Sequence, residues 1–257
     1  EIFVHIGYNK TGTSSIQAMM YQNADLLLKH GIYYPTLNCN HSKFLFSMFV
    51  SNPEKKRMNT IAGYKTKQQV AELNASYQRT IEEELNNPKI QKVIFSGEHL
   101  IALNAEEVKN FHKWLSKFSK KITIVCCTRN PVGWYNSRIQ QQLKERTKDI
   151  SSVCKNLCTK AKINYFSLMP FLETFGKENI VAYDFDKHKK NIYGKFMHCC
   201  NIDAQLQNTL IANAPDIQNE SLSHECCLIL SSMNQLKPWD KNSNLPFVEP
   251  SYLYKIK

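Results

Sequence analysis

The first fifteen residues, Glu1 to Ser15, read EIFVHIGYNKTGTSS, and the change of pattern inside them decides the fold. "IFVHI" (2–6) is an apolar run short enough for a buried strand, and it stops at Gly7. From Thr13 the apolar residues change period: Ile16, Met19, Met20, Leu26 and Leu27 suit a helix of about four turns, with Lys29 and His30 at its end and Gly31 closing it. A strand, a glycine-bearing loop and a helix N-terminus make an anion site, because unpaired N–H groups and the positive helix end point the same way. Thr11, Thr13, Ser14 and Ser15 add hydroxyl donors, and Gly12 lets the backbone approach a phosphate closely. The loop "GYNKTGTS" (7–14) nearly matches the triphosphate pattern G-x-x-x-x-G-K-[ST]. Gly7 and Gly12 have the right separation, but Thr13 stands where the lysine belongs, and Lys10 lies inside the loop.

Beyond this unit, strands and helices alternate. "IYYP" (32–35) is a short extended piece, and 38–64 reads as a polar, irregular surface excursion. A helix runs from about 66 to 86, followed by the buried strand "KVIFS" (92–96) and by Gly97-Glu98-His99. "NAEEVKNFHKWLSKF" (104–118) has an Asn cap, early acids and late lysines. "KITIVCCT" (121–128) is a strand, and "RNPVGWYNSRIQQQLKER" (129–146) turns into helix with Pro131 near its first position. A polar link covers 147–162. A helix ("NYFSLMPFLETFG"), the strand "NIVAYDF" (179–185), the helix "HKKNIYGKFMHCCNI" and a last helix over 221–236 complete the chain. The alternation argues for right-handed crossovers and an α/β fold: a P-loop-type three-layer arrangement, with a mainly parallel sheet flanked by helices. No repeat or linker divides two cores, so 1–257 is expected to form a single domain.

Lys+Arg 33 against Asp+Glu 22 gives a net charge of +11, which favours anionic partners. The basic residues are dispersed, with "KKR" (55–57) and "KHKK" (187–190) as short runs, and no basic stripe interleaved with aromatics of the kind that binds single strands. A nucleic-acid partner is therefore not expected. No apolar run approaches the ~20 residues of a membrane span. The nine cysteines include three adjacent pairs, 126–127, 199–200 and 226–227. Neighbouring cysteines do not readily bridge to each other, so they read as reduced core residues of a cytoplasmic protein. The glycosylation-type triplets "NHS" (40–42), "NAS" (74–76) and "NES" (219–221) keep a Golgi-lumen enzyme, trimmed of an anchor, as the alternative. "HCC" (198–200) and "HECC" (224–227) lack zinc-ligand spacing, so no metal is expected.

A second constellation is "TRNPVGWYNS" (128–137). Arg129 falls where the strand 121–128 ends, on the ligand-bearing edge of a parallel sheet, and Ser137 follows on the second turn of the next helix. An arginine and a serine so placed can clamp one phosphate, the arginine through paired N–H donors.

Together, "HIGYNKTGTSSIQ" and "RNPVGWYNSRIQQ" resemble the two cofactor signatures of the sulfotransferase superfamily, in particular the bacterial carbohydrate-type enzymes, whose loop often reads HIG-x-x-KTGT-[ST]-SIQ. "SGEHL" (96–100), "NIVAYDFD" (179–186) and "NESLS" (219–223) are weaker echoes. The resemblance implies sulfuryl transfer from 3′-phosphoadenosine 5′-phosphosulfate (PAPS) to a carbohydrate-type hydroxyl, leaving 3′,5′-adenosine bisphosphate (PAP). It places Lys10 at the bridging oxygen, Thr11 to Ser15 around the 5′-phosphate, and Arg129 and Ser137 at the 3′-phosphate. It also implies a glutamate or histidine base beyond a strand preceding the arginine strand. Glu98 and His99 both stand there; Glu98 is favoured, and His99 would orient it or be the base itself. The helix face of Gln140, Gln141 and Lys144 is a weaker candidate for acceptor contacts.

Two rivals remain. A P-loop kinase or NTPase needs lysine after Gly12 and an acidic magnesium ligand beyond a second strand. A non-catalytic nucleotide-binding module would be expected to lack Lys10 or the Glu98/His99 pair.

Overall fold

Five strands, β1 (Ile2–His5), β2 (Ile32–Tyr33), β3 (Lys92–Ser96), β4 (Ile122–Thr128) and β5 (Ile180–Asp184), form one sheet in the order β2-β3-β1-β4-β5. Every pairing is parallel. These elements belong to a computed structural model that describes residues 1–145, 149–160, 165–215 and 221–236. The chain divides into two compact units: Glu1–Arg129 with Tyr165–Asp216, which holds the whole sheet, and Asn130–Asn164 with Ile217–Lys257.

In the first unit, strand alternation assigns side chains to two cores. Ile2, Val4 and Ile6 of the first strand segment, Val93 and Phe95 of β3, and Ile122, Ile124 and Cys126 of β4 face one side. They meet the helices Lys67–Leu85, Ala105–Leu115 and Met169–Phe175 through Ile81, Val108, Phe111, Trp114, Phe171 and Phe175. On the other face, Phe3, Ile94, Val125 and Cys127 meet α1 (Thr13–Gln22) and α2 (Ala24–Lys29) through Ile16, Met19, Met20 and Leu27. The helices Ile192–Cys199 and Ala204–Ala212 add Phe196, Met197, Leu206 and Leu210 on that side. The result is an α/β arrangement of three layers around an all-parallel sheet. Its central strand β1 pairs His5 with Ser96 and with Val125, so the loops leaving β1, β3 and β4 emerge on one edge.

Capping explains the helix boundaries. Asn104 and Glu107 form a capping box at Ala105–Leu115, as do Thr66 and Gln69 at Lys67–Leu85. The single helix expected over 13–30 is two, parted at Asn23, whose backbone N–H (3.2 Å) and Nδ2 (2.9 Å) both donate to the Met19 carbonyl. The segment 38–64 is a surface excursion only in its second half, where Ser51, Asn52, Lys55, Arg57 and 60–63 are exposed; its first half is packed into the fold. His41, Ser42, Phe44, Leu45, Ser47 and Asn59 are buried, and Asn59 and Asn74 hydrogen-bond Ser47 at 2.8 Å.

In the second unit the helices Pro131–Lys144, Ile150–Lys160 and His224–Leu236 share a small core of Leu143, Val153, Leu157, Cys227 and Leu230. The helix Ile150–Lys160 corrects the polar link expected at 147–162. Ile150, Val153 and Leu157 carry helical spacing, and Asp149 accepts from Ser152 N (3.0 Å) at its start. Gln140 is held to the backbone of Leu222 (3.1 Å), and Gln141 bonds Glu145 (2.8 Å). Residues 147–148 and 161–162 of the link, and 219–220 of "NESLS" and of the triplet "NES", lie outside the described residues.

Candidate functional site

The loop between β1 and α1 takes its shape from two left-handed residues, Lys10 (φ 66°) and Gly12 (φ 75°). Gly12 is the N-cap of α1, so no side chain caps the first turn and no acid lies within it. The backbone N–H groups there have no intrahelical acceptor, and the dipole adds partial positive charge, so the start of this ten-residue helix can receive an anion. Gly12 is required on two grounds: its φ, and the ring of Phe185, which would stand 3.2 Å from an added Cβ. At Gly7 an added Cβ would stand 3.0 Å from His5 Nε2 and 3.3 Å from Thr11 Oγ1.

The hydroxyls divide into two sets. Thr11, fully buried, donates to the Tyr8 carbonyl, and Thr13, also buried, donates to Glu98 Oε2 at 2.8 Å. Each of those protons is committed inside the protein, so an anion at the loop would meet the backbone of Thr11 and Thr13. Ser14 is exposed and Ser15 half-buried.

Arg129, at the end of β4, donates from Nη1 to the Lys10 carbonyl at 2.8 Å. Its Nε lies 3.6 Å from Asp186 Oδ1, and its guanidinium carbon lies 4.7 Å from the centre of the Phe185 ring. Lys10, Thr13, Glu98 and Arg129 thus meet in the first unit around the ends of β1, β3 and β4. His99 follows Glu98 but is exposed. Its backbone N–H donates to Ser42 Oγ (3.0 Å), and its ring is 6.1 Å from that of Phe46. Ser137 belongs to the second unit, half-buried on the helix Pro131–Lys144.

The turn bearing Glu98 hangs from a buried hub at Ser96. Its N–H donates to His41 Nδ1 (2.9 Å), and its Oγ lies 2.9 Å from His5 Nδ1. Its carbonyl accepts from His41 N (3.0 Å) and Gln17 Nε2 (3.1 Å). His41 Nδ1 accepts, so its proton sits on Nε2 and goes to the Pro35 carbonyl at 2.9 Å. Burial pushes the pKa of His5 down to about 4 and that of His41 to about 3, keeping both neutral. Gly97 has no room for a side chain, because an added Cβ would stand 2.9 Å from Ser42 N.

Sequence reasoning missed Phe185 and Asp186, although "NIVAYDFD" contains both. It also missed His5, Gln17, His41 and Ser42, which carry no spacing signal, because their partners lie far away in sequence. The thiols of Cys126 and Cys127 are buried and pushed up to about 12, so neither is a nucleophile at neutral pH. All nine cysteines are free thiols, and among the described residues no group of three or more His, Cys, Asp or Glu could hold a metal ion. Among them, too, no helix is long and apolar enough to cross a membrane.

No family model and no curated protein matches the chain. Solved structures do. A sulfotransferase from Alicyclobacillus acidocaldarius superposes with a TM-score of 0.50 at 15% identity, covering 90% of this chain and 91% of that one. The sulfotransferase domain from the curacin biosynthetic pathway gives 0.42 at 9% identity, covering 99% and 95%. Retinol dehydratase in complex with androsterone and the inactive cofactor PAP gives 0.36 at 12% identity, covering 91% of this chain and 63% of that one. The first of these carries the fold: the chain has a sulfotransferase-like architecture.

Proposed function

We propose that this chain is a PAPS-dependent sulfotransferase acting on a hydroxyl of a carbohydrate-type acceptor. The observation that carries the reading is the Thr13–Glu98 hydrogen bond, which ties a carboxylate to the first turn of an uncapped helix N-terminus. An anion receptor and an acid–base group are thereby held side by side.

The donor set suits the cofactor's 5′-phosphosulfate: the backbone N–H groups of α1's first turn, the hydroxyls of Ser14 and Ser15, and Lys10. Arg129 and Ser137 would hold the 3′-phosphate. When bound, PAPS supplies the activated sulfuryl group, and no metal is required to bridge a second phosphate. Glu98 would take the proton of the acceptor hydroxyl, while bound PAPS would supply the sulfuryl group that the hydroxyl oxygen receives. Thr13 fixes one carboxylate oxygen and so orients the group. Lys10 would neutralise the charge that builds on the leaving group, a preorganised electrostatic role. His99, exposed beside Phe46, would meet the acceptor rather than serve as the base. The nine free thiols suit a reducing, cytoplasmic compartment.

The reading is tested by transfer of labelled sulfate from PAPS to a panel of mono- and oligosaccharides. Transfer that disappears in Glu98→Gln supports it. Absence of transfer to every hydroxyl acceptor, alongside ATP hydrolysis, would overturn it in favour of a kinase-like enzyme.

A further inference from the structure

The sulfotransferase reading gives Arg129 one task, the 3′-phosphate. The geometry points to a second task and to a residue behind it: we propose that Asp186 is a positioning residue, acting through Arg129 on the backbone of the loop lysine, Lys10. The functional half of this proposal rests on that reading; the structural half does not.

Lys10 is a non-glycine residue at φ 66°. Such a conformation is intrinsically disfavoured and persists only where the surroundings over-determine it. Arg129 Nη1 supplies part of the hold by donating to the Lys10 carbonyl at 2.8 Å, which fixes the peptide plane between Lys10 and Thr11. A guanidinium is a planar fork, so fixing two of its other sides fixes the direction of that donor. One side faces Asp186, with Nε 3.6 Å from Oδ1, and one face lies over the Phe185 ring at 4.7 Å. The side chains of Arg129 and Asp186 are 18% and 28% exposed, so water screens the pair only in part.

Asp186 is itself anchored. Its N–H donates to Asp184 Oδ1 at 2.8 Å, opening the short turn at the end of β5. Asp184 pairs in register with Thr128, the residue before Arg129, and Thr128 Oγ1 donates to the Tyr183 carbonyl at 3.3 Å. Phe185 closes the frame from the loop side, since its ring lies 3.2 Å from the point where a Cβ on Gly12 would stand. The ends of β5, β4 and β1 are therefore joined in sequence through Asp186, Arg129 and Lys10. One guanidinium links the 3′-phosphate contact to the placement of the residue at the bridging oxygen. Asp186 would then govern turnover more than acceptor binding.

The test compares Asp186→Asn, Asp186→Ala, Asp186→Glu, Arg129→Ala and the Asp186→Ala/Arg129→Ala double variant, with thermal unfolding to confirm that each is folded. Amide hydrogen exchange of segment 7–13 in the nucleotide-free protein reads the loop directly, whatever the reaction. Exchange there should rise about 10-fold in Asp186→Ala and Asp186→Asn and return towards wild type in Asp186→Glu. In the transfer assay, kcat should fall about 10-fold while KM for the acceptor moves less than about 2-fold. The double variant should be no worse than Arg129→Ala alone, as expected of residues acting in one chain. Unchanged loop exchange in a folded Asp186→Ala protein, or losses that multiply in the double variant, would overturn the proposal. Wild-type protein that does not bind PAP in calorimetry would overturn the sulfotransferase reading instead, and leaves the exchange result to decide the role of Asp186.

Discussion

The Thr13 hydroxyl donates to Oε2 of Glu98 across 2.8 Å, joining residues 85 positions apart in sequence and tying the first turn of α1 to the turn after β3. If Glu98 is the base, Glu98→Gln should lower kcat by about 10²–10⁴-fold, the range for loss of a general base. Thr13→Val keeps the shape and removes the donor, and should cost about 5- to 10-fold, the worth of one hydrogen bond. His99→Ala should stay within about 3-fold in kcat, because its imidazole is exposed and its ring lies beside Phe46, 6.1 Å away. Steady-state kinetics on the three variants checks this; a His99→Ala loss larger than that of Glu98→Gln would reverse the assignment.

Lys10→Ala should reduce turnover by about 10²–10³-fold, as for removal of a preorganised oxyanion donor. Arg129→Ala should weaken PAP binding and also lower kcat, because the same guanidinium holds the Lys10 carbonyl. Calorimetry and single-turnover rates separate the two effects. Arg129→Ala with normal single-turnover rates at saturating PAPS would deny any link to Lys10.

Gly12→Ala and Gly63→Ala form a matched pair. Both positions have positive φ (75° and 91°), but an added Cβ at Gly63 meets nothing within 4 Å, whereas at Gly12 it meets Phe185 at 3.2 Å. Gly63→Ala should cost only the backbone strain, about 1 kcal/mol. Gly12→Ala should cost about 1–3 kcal/mol more for the crowding. Denaturant melts of the two variants give the difference directly.

Acid should destabilise the fold through His5 and His41. Their native pKa values, about 4 and about 3, lie below the unfolded value near 6.5. Between those limits the unfolded chain binds protons that the native state does not, so this contribution is fully present above about pH 6.5 and is lost as pH falls towards 4 and 3. Each histidine adds a slope approaching about 1.4 kcal/mol per pH unit, against total stabilities of roughly 5–15 kcal/mol. Urea midpoints between pH 7 and 4.5 should fall steeply, and His41→Gln should roughly halve the slope while lowering stability at pH 7. An unchanged slope in that variant would contradict the assignment.

Much of the fold was legible from local pattern. The edges of β3 and β4, the Asn104 cap and Pro131 at the first helical position all carry signals within a few residues. The errors came where polar residues are buried by distant partners. Segment 38–64 reads as surface because Asn, Ser and His usually lie there, yet His41 and Ser47 are satisfied by Ser96, Pro35 and Asn74. At the site, Lys10, Glu98 and Arg129 stood out by motif. Asp186 did not, since its only cue is a guanidinium contributed by another strand. Nor does any spacing rule announce that the Thr13 hydroxyl turns inward to Glu98, a contact set by the pairing of β1 with β3.

The central claim is that the β1–α1 loop and Arg129 belong to a receptor for a nucleotide carrying both a 5′- and a 3′-phosphate. Titration calorimetry of the purified protein with PAP, AMP and Mg-ATP tests it most directly. PAP should bind at least about 100-fold more tightly than AMP, equivalent to about 2.7 kcal/mol for the 3′-phosphate contacts, and Arg129→Ala should remove most of that margin. Mg-ATP binding tighter than PAP, with PAP no better than AMP, would contradict the account.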